Sequence, residues 1–284
     1  MGKLSVQHLI FTRVESSYSP KQSSGYQVVY QSDGLQAEAR QIEKRLQCFD
    51  SSQQENERYQ FFWTTRGQAV LARTFPLGFP TNREVIDRWQ RAAFLAHALV
   101  LSKEAFASIH HDPFTLFDLA NSPFVADDEQ LVDYLRGETL DEQLNVPLRT
   151  SRDVNYLLSS WSEEELWKLF ALGMQTDQLK KKKQSLLLLS EEAEDALDLL
   201  RLTTFLLPPE NRLACTFDTY IETCMPPPGL FWLVCGKQGK NQAGFLPMRL
   251  SAQALEAQTG FFSSFPAGRA GEIFQRRLNR LRQR

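Results

Sequence analysis

The chain has 284 residues, enough for one large domain or two ordinary ones, each with its own core. Its 42% apolar and 23% charged residues are the composition of a folded soluble protein, and a formal net charge of -2 excludes a global electrostatic drive toward nucleic acid or membrane. Four cysteines (Cys48, Cys215, Cys224, Cys235) include no C-x-x-C pair, which argues against a zinc site or a disulfide framework and suits reduced, packed thiols in a cytoplasmic protein.

The N-terminal "SVQHLIFTRV" alternates, with Val6, His8, Ile10 and Thr12 on one side and Gln7, Leu9, Phe11 and Arg13 on the other. Both sides are partly apolar, so the pattern predicts a strand covered on both faces. Gln7, His8 and Arg13 also interrupt any signal-peptide h-region, no stretch approaches a membrane span, and Ser5 sits one place early for myristoylation. "SSYSPKQSSG" is a loop, and "GYQVVYQS" is a second strand opening on Gly25. Leu35, Ala39, Ile42 and Leu46 then recur at helical spacing. Tyr59 to Phe75 reads as a hairpin with Arg66-Gly67 in the turn, followed by the loop "PLGFPTNRE" and the apolar strand "FLAHALVLS".

After "HHDPF" the helical period dominates. Asp112 and Pro113 are placed to cap and open a helix over "PFTLFDLA". "ADDEQLVDYLRG" starts acidic and ends at Gly137, and Ser162 to Glu165 forms a capping box for a helix ending at Gly173. A third helix is stopped by Pro208 and Pro209. "RLACTFDTY" and "GLFWLVCG" are β-like, and "AGEIFQRRLNRLRQR" is a basic helix with Ile273, Phe274, Leu278 and Leu281 in one stripe.

The pattern predicts an α+β chain. An α+β N-terminal domain of mixed strand and helix spans residues 1–125. A mainly helical region spans 126–284, with β-hairpin-like strands near 212–246 and the basic C-terminal helix.

Chemistry-bearing residues are sparse. His97 shares a strand face with Leu95, Leu99 and Leu101, where a buried imidazole needs a hydrogen-bond partner and is more often structural than reactive. His110, His111 and Asp112 fit a turn, and no H-E-x-x-H accompanies them. G-x-S-x-G is absent, Cys48 follows a helix instead of opening one, and "GKQGKNQAG" is not a P-loop but fits a solvated hairpin loop. No catalytic residue, cofactor or metal is therefore assigned, and His97, His111 and Asp112 stand as ligand or structural candidates. The interaction candidates are Trp63 and Arg66 near the hairpin tip, Lys180, Lys181, Lys182 and Lys183 between helices, and Arg276, Arg277 and Arg280 in the tail.

"VQHLIFTRV", "SSGYQVVYQSDGL" and "FLAHALVLS…DPFTLFDL" together resemble the N-terminal domain family of bacterial GTPase-associated protein 1. The resemblance rests on Gln7, Thr12, Gly25, Tyr26, Gln27, Gly34, Leu35, Ala96 and His97, with Phe217, Thr219 and Tyr220 matching a later strand. Members often carry G-R-x-G-N ahead of the Ala-His strand, where this chain has "DRWQRAAF". The resemblance implies a subunit of a multi-component bacterial system, proposed to act in defence or stress and pairing with a small GTPase and other proteins. It implies no established catalytic residues, which leaves His97 as a structural or ligand-sensing imidazole.

Three function classes follow. The favoured one is a non-enzymatic cytoplasmic adaptor or sensor acting through protein–protein contacts. The others are a metal-dependent or His-based hydrolase around His97, His111 and Asp112, and a nucleic-acid-binding subunit using Lys180–Lys183 and the arginine tail.

Overall fold

The computed structural model describes residues 2–47, 49, 57–88, 91–147, 155–189, 193–221, 227–236, 243–251, 254–257 and 268–282. It is an α+β fold, and the chain divides into two compact units: residues 1–149 with 220–225, and residues 150–219 with 226–284.

The first unit contains β1 (Gly2–Ser5), β2 (Gln7–Val14), β3 (Gly25–Gln31), α1 (Gln36–Leu46), β4 (Arg58–Trp63), β5 (Ala69–Gly78), β6 (Ala93–Leu101), α2 (Lys103–Ser108), α3 (Phe114–Phe117), α4 (Asp128–Leu135) and β7 (Gln143–Val146). Its sheet runs β4-β5-β6-β2-β3, antiparallel throughout. All nine residues of β6 are buried, because it lies between β5 and β2 and both its faces are covered. The strand ends where Ser102 accepts a hydrogen bond from the Ala105 N–H and so caps α2.

Register decides which side chains share a face. Tyr59, Arg73, His97 and Ile10 stand side by side across four strands, as do Phe61, Leu71, Leu99 and His8. Phe106 of α2 covers this face against Phe61 and Trp63, at ring separations of 5.1 and 5.6 Å, and Phe117 of α3 meets Tyr59 at 5.3 Å. Helix α1 covers the opposite face with Ile42 and Leu46 buried, beside a stack of Phe11, Tyr26 and Phe94.

The first unit extends past the boundary expected near residue 125. Leu131 and Val132 of α4 are buried, and β7 pairs antiparallel with β1 from Gly2–Val146 to Ser5–Gln143. Those contacts carry the unit through Arg149.

The second unit contains α5 (Asn155–Ser159), α6 (Glu163–Met174), α7 (Thr176–Lys181), β8 (Ser185–Leu189), α8 (Ala193–Leu206), α9 (Pro209–Arg212), most of β9 (Phe217–Ile221), β10 (Leu233–Gly236), β11 (Phe245–Ser251), β12 (Ala254–Ala257) and α10 (Gly268–Arg282). Ser162 caps α6 by accepting from the Glu165 N–H, as the capping box predicts. Gly173 lets α6 approach the end of α8 closely, since a Cβ there would lie 2.3 Å from Leu207 Cδ1.

Of the strands near 212–246, β9 and β10 are neighbours in the sheet, but β10 and β11 do not pair with each other. Strands β10 and β11 lie on opposite sides of β8 and both run parallel to it, while β12 pairs antiparallel with β11. The central β8, "SLLLL", is buried on both faces and so shows no alternation that would mark it as a strand. Most of the "GKQGKNQAG" loop, residues 237–242, lies outside the described residues.

Candidate functional site

The strand imidazole at position 97 has a partner from elsewhere in the chain. His8 on β2 and His97 on β6 are diagonal neighbours on one sheet face, because Ile10 pairs with His97 and His8 with Leu99. His8 Nδ1 and His97 Nε2 lie 3.0 Å apart. The Val125 N–H meets His97 Nδ1 at 2.8 Å, and His8 Nε2 lies 3.0 Å from the Asp141 carbonyl.

These contacts fix the tautomers. A backbone N–H can only donate, so His97 Nδ1 accepts and its proton sits on Nε2. That Nε2–H donates to His8 Nδ1, and the His8 Nε2–H then donates to the Asp141 carbonyl. Every ring nitrogen is used once, in one direction, in a relay from Val125 to Asp141.

The relay is sealed. His97 is 0% and His8 1% exposed, and the Phe124 ring stands edge-on to His97 at 5.7 Å. Burial holds the His97 pKa well below the usual histidine value, and the neighbouring His8 lowers it further. Burial also lowers that of His8, partly opposed by the Asp141 carbonyl and by the Glu142 and Asp141 charges. Both rings are therefore neutral at neutral pH.

Arg73 is the nearest charged neighbour by register. It is ion-paired with Glu57, and its guanidinium lies over the rings of Tyr59, Phe75 and Phe124 at 4.9, 4.8 and 5.6 Å. Cation–π contacts and the carboxylate hold this group within the aromatic layer.

His111 and Asp112 do not join His97 in a cluster. His110 and His111 take left-handed backbone conformations (φ 56° and 54°) where α2 ends, and the His111 ring lies 5.6 Å from Phe106. Asp112 is buried, and its Oδ1 accepts from the Phe114 N–H at 3.0 Å in a turn that leads into α3, whose N-cap is Pro113 and not Asp112. Among the described residues, no three His, Cys, Asp or Glu side chains are placed to hold a metal ion.

Several of the interaction candidates have partners within the chain, Arg276 among them through Glu272 of its own helix. The Arg66 guanidinium meets the buried Glu38 carboxylate at 2.8 Å, tying the β4–β5 turn to α1. Arg277 donates to the Leu206 and Phe205 carbonyls at the end of α8, and Arg212 also donates to that of Phe205. Trp63 is half-buried against Phe61 and Phe106, whereas Lys180–Lys183, Arg276 and Arg280 are exposed.

Buried thiols offer no nucleophile. Burial pushes the Cys215 thiol up to about 12 and raises that of Cys235, so both stay protonated at neutral pH. Cys48 and Cys224 lie outside the described residues.

The residues on which the sequence resemblance was argued have structural tasks. The Gln7 side-chain amide donates to the Asp33 carbonyl at 2.7 Å, next to Gly34, whose φ of +90° suits glycine. Thr12 Oγ1 donates to the Phe94 carbonyl at 2.7 Å, and Gln27 bonds to Ser19 and to the Ser23 carbonyl.

In the second unit, Trp167, Phe274 and Gly271 floor a shallow groove of about 510 Å³ between α6 and α10, edged by Glu163, Glu164 and Gln275. Gln275 and Arg282 bond to Glu163 and hold its carboxyl below the usual range.

The sequence marks His8 as a strand residue that could be buried, though not as the partner of His97. His8 occupies an apolar-side position of a strand pattern, as His97 does, in a chain with four histidines. No family model matches the chain, and no curated protein matches it.

Proposed function

We propose that this chain is a non-enzymatic adaptor or sensor subunit of a cytoplasmic, multi-protein bacterial system of the GTPase-associated kind, acting through protein–protein contacts. The observation that carries this reading is the sealed relay. His97, the histidine with the best sequence case for chemistry, has both ring nitrogens occupied, no exposed surface and no adjacent thiol or hydroxyl in its hydrogen-bond chain. A general base needs a nitrogen within reach of a substrate proton, and neither ring offers one.

The candidate contact surface is the α6–α10 groove, where aromatic floor and charged rim resemble the make-up of an interface anchor. Exposed Arg276 and Arg280 lie on α10 itself. A small GTPase and the other proteins of the same system are the partners that the N-terminal resemblance implies. No helix among the described residues is long and apolar enough to cross a membrane.

The test is purification of the tagged chain from its own host at low and high salt, with co-purifying proteins identified and the 260/280 nm ratio read. The reading predicts a stoichiometric protein partner that persists in high salt. A partnerless chain, or one that carries nucleic acid released by salt, would overturn it.

A further inference from the structure

Residues 124–146 are a strap fastened to the sheet of the first unit by the imidazole pair. The Val125 N–H anchors one end to His97, and the Asp141 carbonyl anchors the other to His8. Between the anchors lies α4, and after them comes β7, paired with β1. The Leu140 N–H also donates to the Tyr30 hydroxyl at 3.1 Å, and the Val6 N–H to the Glu142 carbonyl at 2.9 Å.

The relay tolerates no added proton. If His97 gains one, its Nδ1 carries a hydrogen and faces the Val125 N–H, donor against donor. If His8 gains one, its Nδ1–H needs His97 Nε2 as an acceptor; His97 must then move its own proton to Nδ1, and the same clash follows. A proton entering at either ring therefore expels the Val125 amide.

We propose that His8 and His97 form an acid-released latch: neutral, the pair clamps both ends of the 124–146 strap to the sheet, and protonated, it lets the strap open. Burial of both rings reinforces this, since the closed state resists the proton and the open state accepts it.

The groups facing the pair set where the proton enters. On β5, Arg73 adds a positive charge beside His97, offset by Glu57 from the start of β4's flank, with the Tyr59 phenol beneath it. From the turn before β7, the Asp141 and Glu142 carboxylates favour charge on His8. Tyr30 on β3 and Tyr134 on α4, with rings 6.3 Å apart, are uncharged phenols near neutral pH. Asp128 on α4 is turned to Thr81 and Asn82, which donate to it. The proton thus enters at His8. The proposal concerns the isolated chain and stands apart from the adaptor reading.

The test is amide hydrogen exchange of the full chain at pH 7.5 and 5.5, corrected for intrinsic rates, on wild type, His97→Gln and His8→Gln. Opening should increase about tenfold for each histidine that titrates on release, so protection at Val125, α4 and β7 falls about 10- to 100-fold. Amides of the β5–β6 ladder exchange only when the whole unit unfolds and stay more protected than the strap at both pH values. A glutamine ring-substitute cannot titrate, so each variant loses part of this pH dependence. Ring ¹⁵N shifts of the wild type should stay those of neutral rings while the strap is closed in most molecules and change only together with its opening. Equal strap protection at both pH values would overturn the latch. So would strap amides as well protected as those of β5 and β6 at pH 5.5, which would mean no opening short of unfolding the unit, or ring titration without opening.

Discussion

Replacing His97 with alanine removes a fully buried imidazole and both of its hydrogen bonds. The Val125 N–H is left without its acceptor and His8 Nδ1 without its donor, each costing about 1–3 kcal/mol when buried, and the lost ring adds a cavity cost of a similar size. Together these come to about 3–9 kcal/mol, so the first unit should lose at least about 3 kcal/mol. His8→Ala should cost less, because its outer contact is to a carbonyl near the surface turn. The double variant should cost less than the sum of the singles by about 1–3 kcal/mol, since each single change orphans the other ring. Urea-dependent exchange of amides in β2, β5 and β6 reads the first unit alone and avoids assuming one transition for a chain of two units. Additive single costs, with a coupling under about 0.5 kcal/mol, would refute the relay.

Three other predictions use different parts of the chain. Because both histidines have depressed pKa values in the folded chain, the unfolded chain binds more protons below about pH 6.5. Stability of the first unit is thus full above that pH and falls as pH drops through it, by up to about 1.4 kcal/mol per pH unit per histidine; urea titrations at pH 7.5, 6.5 and 5.5 should show a shallower slope for His97→Gln than for wild type. Gly173→Ala places a Cβ against Leu207 and should destabilise the second unit by about 1–3 kcal/mol despite alanine's better helix propensity, as read by the thermal midpoint. Arg277→Ala uncaps the end of α8 and should cost about 1–3 kcal/mol, whereas Arg276→Ala, exposed on the same helix, should stay within about 0.5 kcal/mol in a urea titration.

The first unit was largely legible in the sequence, and the reasons are local. β2 and β3 have strand periodicity and glycine punctuation, α1 has its apolar stripe, and β4–β5 has an Arg-Gly turn. The β1–β7 pair was not legible: two four-residue strands, "GKLS" and "QLNV", join residues about 140 positions apart and carry no local signal. That pair is also why the first unit passes residue 125. In the second unit, β8 hides its strand character because it is buried on both faces, and the strand read over "RLACTFDTY" begins only at Phe217, after the short helix that Pro209 opens. At the candidate site, His97's burial followed from its pattern, but its partner did not. His8 lies 89 residues earlier, and only the antiparallel register of β2 on β6 brings the rings together. Arg66 and Arg277 looked like free binding groups because sequence shows their charge and not the carboxylate or carbonyls that hold them.

The most direct test of the sealed relay is long-range ¹H–¹⁵N correlation on histidine-labelled protein. The account predicts that His8 and His97 both carry their proton on Nε2, with a bare Nδ1, and that neither ring titrates between pH 8 and about 6.5. A proton on Nδ1 of either ring, or an ordinary midpoint near 6.5, would contradict it and return His97 to the list of groups open to solvent and substrate.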